Sequence, residues 1–419
     1  MTETPATHRP IRVGVIGVGR GSSFAAAAND VVGMELVAVC DTWEEKLREV
    51  GERYGVTTYT DYDRFLEHDM DAVVLANYFH QHAPFAIKAL QAGKHVMSET
   101  AACKTLAEGV ALCRAVEQSG KIYMFAENYP YSAAGQELRR LYHTGEFGQV
   151  RYAEGEYNHP GEEDWRLSIS PGLQHWRNWI PSTYYCSHAL APLMYITDTM
   201  PVRVNALAMS EERTQTPHTT KVSDAGSVIL ARMDNDAVFR IWGLMMNSVH
   251  RVKYEVHGDR GYLATAEPNH WNTVRVHHEE WLRETGRPND LNYTPDWPEH
   301  AELARRAGHG GGDFWMNFHF ANAIHTGEQP YLNVYRGVAM AAVGILGWRS
   351  CLQEGVPLSI PDFRDEAARA AYADDHWSPF PEDAGPGQPP PSIRGIVAPS
   401  PAVVAHAREV WEKLGYHGK

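Results

Sequence analysis

The segment RVGVIGVGRGSS, residues 12–23, carries the clearest chemical signal: Gly17 and Gly19 follow an apolar run and precede a stretch of small residues, FAAAA. A backbone that must turn tightly and approach a pyrophosphate needs glycine, and the phosphate charge then sits favourably on the helix N-terminus. Arg20, Gly21 and Ser22 complete this loop. Ser22 stands where the GxGxxG pattern has its third glycine, and Gly21 suggests a shifted loop. Asp41 lies 24 residues beyond Gly17 at the end of a second β-branched run, where a carboxylate accepts ribose hydroxyls and repels a ribose phosphate. Its other reading is a helix cap. Together these residues predict a dinucleotide site for NAD+ rather than NADP+.

A second stretch, EEDWRLSISPGLQHWRNWIP, interleaves Arg166, His175 and Arg177 with Trp165, Trp176 and Trp179. Guanidinium forks match carboxylate or sulfonate oxygens and aromatic faces stack on sugar rings, so these residues, with Trp176, are candidates for binding an acidic sugar. The alternative is a loop whose tryptophans seal an interface and whose arginines pair with surface acids. The pairs His80/His82 and His277/His278 have metal-like spacing but no evident carboxylate partners, and no metal site is expected. The run Glu162, Glu163, Asp164 reads as solvated loop.

These groups need elements to position them. From Ile11 to Asn128 short β-branched runs alternate with amphipathic stretches, the pattern of βαβ units and a parallel sheet. After Ser132 comes a helical segment capped near Gly145, then consecutive alternating runs (VRYAEGEY, VRVNALAM, GSVILARM, AVFRIWGLM, KYEVHG, YLATAE) that argue for a largely antiparallel sheet. Helices are expected over Phe314–His325 and Tyr335–Gln353. The fold class is therefore α/β: an N-terminal Rossmann domain with a parallel sheet, then an α+β domain with a large, mostly antiparallel sheet. The expected divisions are an arm over 1–10, the Rossmann domain over 11–130, an α+β domain for substrate and oligomerisation over 131–360, and a proline-rich tail with a terminal helix over 361–419.

The 419 residues carry 38 basic and 52 acidic side chains, a net charge of −14, which opposes an extended footprint on nucleic acid or an anionic membrane. Five widely spread cysteines without a CxxC pair point to free thiols in a reducing cytoplasm. No run is long and apolar enough to span a bilayer, and the start of the sequence has no apolar leader.

The segment LANYFHQHAPFAIKALQAGKHVMSET resembles the fourth and fifth strands of the glucose-fructose oxidoreductase and inositol dehydrogenase (Gfo/Idh/MocA) family, and the likeness runs on to about Pro361. The resemblance implies NAD(P), a sugar or cyclitol substrate and homo-oligomers built through the C-terminal sheet. It places Asn77, His80, His82, Glu99 and Asn128 beside the cofactor. Where the family's dehydrogenases carry a catalytic lysine in Glu-Lys-Pro, this chain reads Glu99, Thr100, Ala101, and their aspartate four residues before a histidine is Tyr184 here.

AENYPY, EYNHPG, TYYCSHALAP and GHGGGDF are similar to motifs of the NAD-dependent α-N-acetylgalactosaminidases of glycoside hydrolase family 109. Carried over, they imply catalytic roles for His188 near the C3 hydroxyl, Tyr185 or Tyr157 at C2, His159 at the leaving group and Glu127 in positioning, with His309 and Asp313 flooring the sugar pocket. Cys186 and Ser187, and ALAP in place of Gly-Leu-Gly-Pro, depart from that pattern. The implied reaction is a redox-neutral hydrolysis: oxidation at C3, elimination, hydration and reduction. NAD-dependent sulfoquinovosidases share the superfamily, so a sulfonated or uronic glycoside is the expected substrate; a sugar or cyclitol dehydrogenase and a silent dinucleotide sensor are the alternatives. The sensor would require the Tyr157 to His188 constellation to be scattered in space.

Overall fold

The computed structural model describes residues 9–30, 33–160, 163–210, 219–244, 249–266, 272–282 and 288–416. Most of the expected N-terminal arm and Glu162 lie outside them. The chain divides into two compact units: Met1–Cys103 with Glu108–Ala133 and Asp296–Val338, and Lys104–Ala107 with Ala134–Pro295 and Ala339–Lys419.

The first unit is built on six parallel strands, β1 (Ile11–Ile16), β2 (Met34–Cys40), β3 (Thr57–Tyr59), β4 (Ala72–Leu75), β5 (His95–Ser98) and β6 (Tyr123–Phe125), in the order β3-β2-β1-β4-β5-β6. Val13, Val15, Val73, Val74, Val96 and Met97 are almost wholly buried, as expected when helices cover both faces of a parallel sheet. Every candidate cofactor residue follows a strand, so all of them gather at the carboxyl edge: Gly17 after β1, Asp41 after β2, Asn77 after β4, Glu99 after β5 and Asn128 after β6. Ligands of open α/β sheets bind at that edge.

Among the described residues the second unit carries nine strands: β7 (Val150–Asn158), β8 (Pro201–Met209), β9 (Gly226–Met233), β10 (Val238–Trp242), β11 (Arg251–Gly258), β12 (Gly261–Thr265), β13 (Val274–His278), β14 (Asp290–Tyr293) and β15 (Leu358–Ser359). Their order is β14-β13-β12-β11-β7-β10-β9-β8-β15, and among the described residues only β7 and β10 pair in parallel. One face, with Ala153, Tyr157, Phe239, Ile241, Val252 and Tyr254, is buried. The other carries Glu154 and Glu156 with Arg240 and Arg251, and exposed Leu207, Met209 and Leu230.

Two divisions differ from the sequence expectation. Residues 296–338, expected in the second domain, group with the nucleotide unit, because their helix Gly312–Thr326 ties to Arg20 and Asn128 there. The tail beyond 361, given a division of its own, groups with the second unit, since the helix Pro401–Lys413 buries Val403, Ala407, Val410 and Trp411. Strands β13 and β14 went unpredicted. No helix among the described residues is long and apolar enough to cross a membrane.

Candidate functional site

In the first unit, Gly17 adopts φ +90°, and a Cβ there would sit 2.3 Å from the carbonyl oxygen of Ala76, so the turn into the helix Val18–Asp30 excludes any side chain. Around Gly19 a Cβ would meet nothing within 4 Å, leaving open the space a diphosphate would approach. The third glycine role falls to Gly21, whose Cβ would press 2.7 Å from Val15, while Ser22 bonds through Oγ to the carbonyl of Val18. The serine substitution is thus absorbed by a one-residue shift.

Asp41 accepts N–H bonds from Val18 at 2.7 Å and Trp43 at 2.9 Å. It caps the glycine-turn helix, the second of its two expected readings, and the carboxylate keeps lone pairs for further donors. His82 is buried, with Nδ1 3.0 Å from the carbonyl of Ala101 and Nε2 3.1 Å from that of Asn77; burial lowers its pKa. Both amide atoms of Asn77 are shielded and lack a partner among the described residues. Such a group costs free energy unless a ligand satisfies it. The open Gly19, the close-packed Gly17 and the unsatisfied Asn77 fit a bound dinucleotide.

Arg20 and Glu99, expected beside the cofactor, pair with one another. Arg20 Nε donates to Glu99 at 2.7 Å, and its two terminal nitrogens clasp Asp313 at 2.8 and 2.9 Å. Asp313 also bonds Nδ1 of His309 at 3.0 Å, and Asn128 Nδ2 lies 3.5 Å away. Burial works against the charged carboxyl, but the bonds from His309 and Arg20 hold Asp313 far below the usual carboxylate range. His309 and Asp313, expected to floor a sugar pocket, are joined with Arg20 in one hydrogen-bonded network. The glycines of GHGGGDF are needed there: a Cβ on Gly308 would strike the Asp313 carboxylate at 2.7 Å, and one on Gly312 the Asn128 carbonyl at 2.6 Å. Glu127 is fully buried beside Asn128.

The second unit brings together the four tyrosines and histidines. Tyr157 is the penultimate residue of β7, His159 follows that strand, Tyr185 closes a short turn over Ser182–Tyr185, and His188 is the second residue of the helix Ser187–Thr197. The Tyr157 and His188 rings meet edge to face at 4.6 Å, Tyr185 and His188 at 4.9 Å, Tyr157 and His159 at 5.8 Å, and Tyr157 and Tyr185 stack at 6.1 Å. Gly155 makes this possible, since a Cβ there would lie 2.1 Å from the carbonyl oxygen of Ala189. The Tyr254 hydroxyl fixes the same helix by donating to the His188 carbonyl at 2.8 Å.

Two residues join this cluster without having been singled out for it. Trp165 lies parallel to the His159 ring, 4.9 Å away at 6°, and His250 meets His159 edge-on at 5.6 Å. His250 arrives by strand register: Arg251 pairs with Asn158, which sets His250 opposite His159. Burial first, then His250 and His188, lower the His159 pKa, and its Nδ1 has no partner among the described residues. Of the other arginine-tryptophan residues, His175 accepts an N–H bond from Arg177 as a helix cap, the Arg177 guanidinium lies 4.4 Å over the Trp176 ring, and Arg166 sits half-buried on the helix Glu163–Ser168 beside Trp165.

Comparison with known proteins decides the ancestry. Residues 11–127 match the oxidoreductase family with an NAD-binding Rossmann fold (GFO_IDH_MocA), and residues 136–264 match the GFO/IDH/MocA C-terminal domain. The chain belongs to the Gfo/Idh/MocA family. Residues 202–369 also match the glycosyl hydrolase 109 C-terminal domain, which makes the protein an NAD-dependent enzyme acting on sugars. A glycosyl hydrolase family 109 protein of Streptomyces filamentosus is 25% identical over 397 residues, covering 84% of this chain and 77% of its own. One from Bacteroides thetaiotaomicron is 25% identical over 404 residues, covering 84% of each. Among solved structures, a levoglucosan dehydrogenase complex with NADH superposes with a TM-score of 0.71 at 20% identity, covering 84% of this chain and all (100%) of the other. An oxidoreductase domain protein from Kribbella flavida gives 0.70 at 21% identity, with the same 84% and 100% coverage. These two likenesses establish the fold.

Proposed function

We propose that this member of the family is an NAD+-dependent glycoside hydrolase working by a redox-neutral cycle. The observation that carries the reading is the convergence of Tyr157, His159, Tyr185 and His188, from separate chain segments, to ring separations of 4.6 to 6.1 Å. The dehydrogenase lysine is replaced by Thr100, so a constellation of tyrosine and histidine has to handle the protons instead. The convergence also removes the support for a silent sensor.

Bound NAD+ supplies a reversible hydride acceptor for the sugar C3. Gly17, Gly19, Gly21, Asp41 and Asn77 would hold it, with His82, His80, Asn128 and Glu127 beside it. The remaining work is proton traffic. His188 receives the C3 hydroxyl proton; the hydroxyl of Tyr157 or Tyr185 takes the proton from C2, acidified by the neighbouring ketone; and His159 protonates the departing oxygen, each acting within hydrogen-bond reach. This scheme falls outside the paired-carboxylate rule for glycosidases.

An anionic glycoside, sulfonated or uronic, is the substrate we favour, because Arg166 adjoins Trp165 on the edge of the cluster. Exposed Leu207, Met209 and Leu230 on the open face of the nine-stranded sheet support a homo-oligomer formed there. Five buried cysteines carried as thiols support a cytoplasmic setting.

The test is a panel of nitrophenyl glycosides, including sulfoquinovoside and glucuronide, incubated in D2O. Aglycone release with deuterium at C2 and no accumulating NADH is expected. Turnover that consumes NAD+ stoichiometrically would identify a dehydrogenase instead.

A further inference from the structure

The helix Glu163–Ser168 has six residues, too few to hold its shape alone. It is held by the end of the chain. Leu167, Ala407, Val410 and Trp411 form one buried cluster, with Leu173 and Tyr416 packed against it. Trp411 Nε1 donates to the carbonyl of Leu167 at 2.9 Å, and His406 Nε2 lies 3.0 Å from the Asp164 carboxylate. A Cβ on Gly172, which has φ +95°, would come within 2.5 Å of the Tyr416 hydroxyl, so the chain leaving this helix is pressed close to the C-terminal segment.

Asp164 and Leu167 flank Trp165 and Arg166, and anchoring them fixes where Trp165 goes. Its indole lies flat on the His159 imidazole, and the residue is nevertheless 41% exposed. A tryptophan this exposed beside a cluster of tyrosines and histidines can serve as a stacking platform, since indole faces stack on other rings. The anchoring helix lies wholly beyond residue 369, where the glycosyl hydrolase 109 match ends.

We propose that the C-terminal helix Pro401–Lys413 is a positioning element that holds Trp165 against His159 and so builds a stacking subsite for the ring of a departing aglycone, aromatic or pyranose. The proposal rests on the glycosidase reading for its account of what stacks there. It makes the terminal helix a determinant of leaving-group preference, although the helix contributes no group to the chemistry.

The experiment compares full-length, NAD+-loaded wild type with Trp165→Ala, Trp165→Phe and Trp411→Ala. The substrates are a phenyl and a methyl glycoside of one sugar, and hydrogen exchange is followed over residues 163–169. Trp165→Ala and Trp411→Ala should each raise KM for the phenyl glycoside about tenfold, as loss of a ring-stacking contact of about 1.4 kcal/mol predicts. KM for the methyl glycoside should be unchanged, and Trp165→Phe should restore most of the loss. Exchange over 163–169 should quicken in Trp411→Ala and not in Trp165→Ala. Unchanged exchange in Trp411→Ala, or equal KM shifts for both aglycones, overturns the proposal. Should the wild type hydrolyse neither glycoside, the glycosidase reading fails separately; calorimetric binding of the two glycosides then decides the platform, which stands only if Trp165→Ala weakens the phenyl compound selectively.

Discussion

Replacing His159 with glutamine should separate leaving groups that need a proton from those that do not. His159 touches Tyr157, Trp165 and His250 through its ring and has an Nδ1 without a partner among the described residues, and glutamine keeps a polar side chain at the position. The folding cost is that of a lost ring stack, about 1 kcal/mol. A positioned general acid contributes about 10²- to 10⁴-fold, or roughly 3 to 5 kcal/mol of barrier. A methyl glycoside, whose alkoxide must be protonated as it leaves, should lose kcat/KM by that factor, whereas a nitrophenyl glycoside of the same sugar should lose less than about threefold. The pH dependence follows from the direction of the shift. Burial with His250 and His188 lowers the His159 pKa, so its protonated fraction is small at neutrality and grows as pH falls. Wild-type kcat/KM on the methyl glycoside should therefore rise on acidification through the range below the ordinary histidine value, and this limb should vanish in His159→Gln. Equal losses on both substrates, or an acid limb that persists in the variant, would refute the assignment.

Asp313→Asn should cost about 3 kcal/mol in urea unfolding, since it leaves the Arg20 guanidinium, 27% exposed, with one carboxylate instead of two around it. Because the Asp313 pKa is depressed in the folded protein, its stabilisation is present above the unfolded carboxyl pKa. It is lost only as pH falls through the folded value, so wild type and variant should converge only in strong acid. Gly19→Ala should leave the melting temperature of the NAD-free protein within about 2 °C, because its Cβ meets open space, yet weaken NAD+ at least about tenfold by fluorescence titration; equal affinity would remove the diphosphate from that loop. Asp41→Ala should cost about 1 kcal/mol through the lost cap of Val18 and narrow the preference for NAD+ over NADP+ in binding assays.

The first unit was legible because each of its signals is local. Gly17, Asp41, Asn77 and Glu99 each follow a β-branched run, and a parallel sheet delivers the ends of such runs to one edge. The Tyr157 and His188 motifs were legible by likeness, but their meeting depends on Gly155, whose significance lies in the absence of a side chain against Ala189. His250 was not legible: its place beside His159 depends on which strands pair and in what register, and no short window encodes that. The bond between Arg20 and Asp313 spans 293 residues, so the arginine read naturally as a phosphate ligand of the loop that carries it. Strands β13 and β14 escaped because they are short and polar, with His277 and His278 ending β13 and the exposed Asp290 opening the edge strand β14, which leaves too few apolar positions to mark the alternation seen in their neighbours.

The nucleotide unit is not one stretch of the chain. It is completed by residues 296–338, which are made after the whole nine-stranded sheet apart from its edge strand β15, and the Asp313 that clasps Arg20 arrives only then. During synthesis Glu99 is the first carboxylate to reach the arginine of the glycine loop, and the bidentate clasp waits for a distant helix. A gene cut after residue 133 would yield a nucleotide binder missing a structural member. Recombining halves between relatives would therefore succeed only if the 296–338 segment travelled with the amino-terminal half.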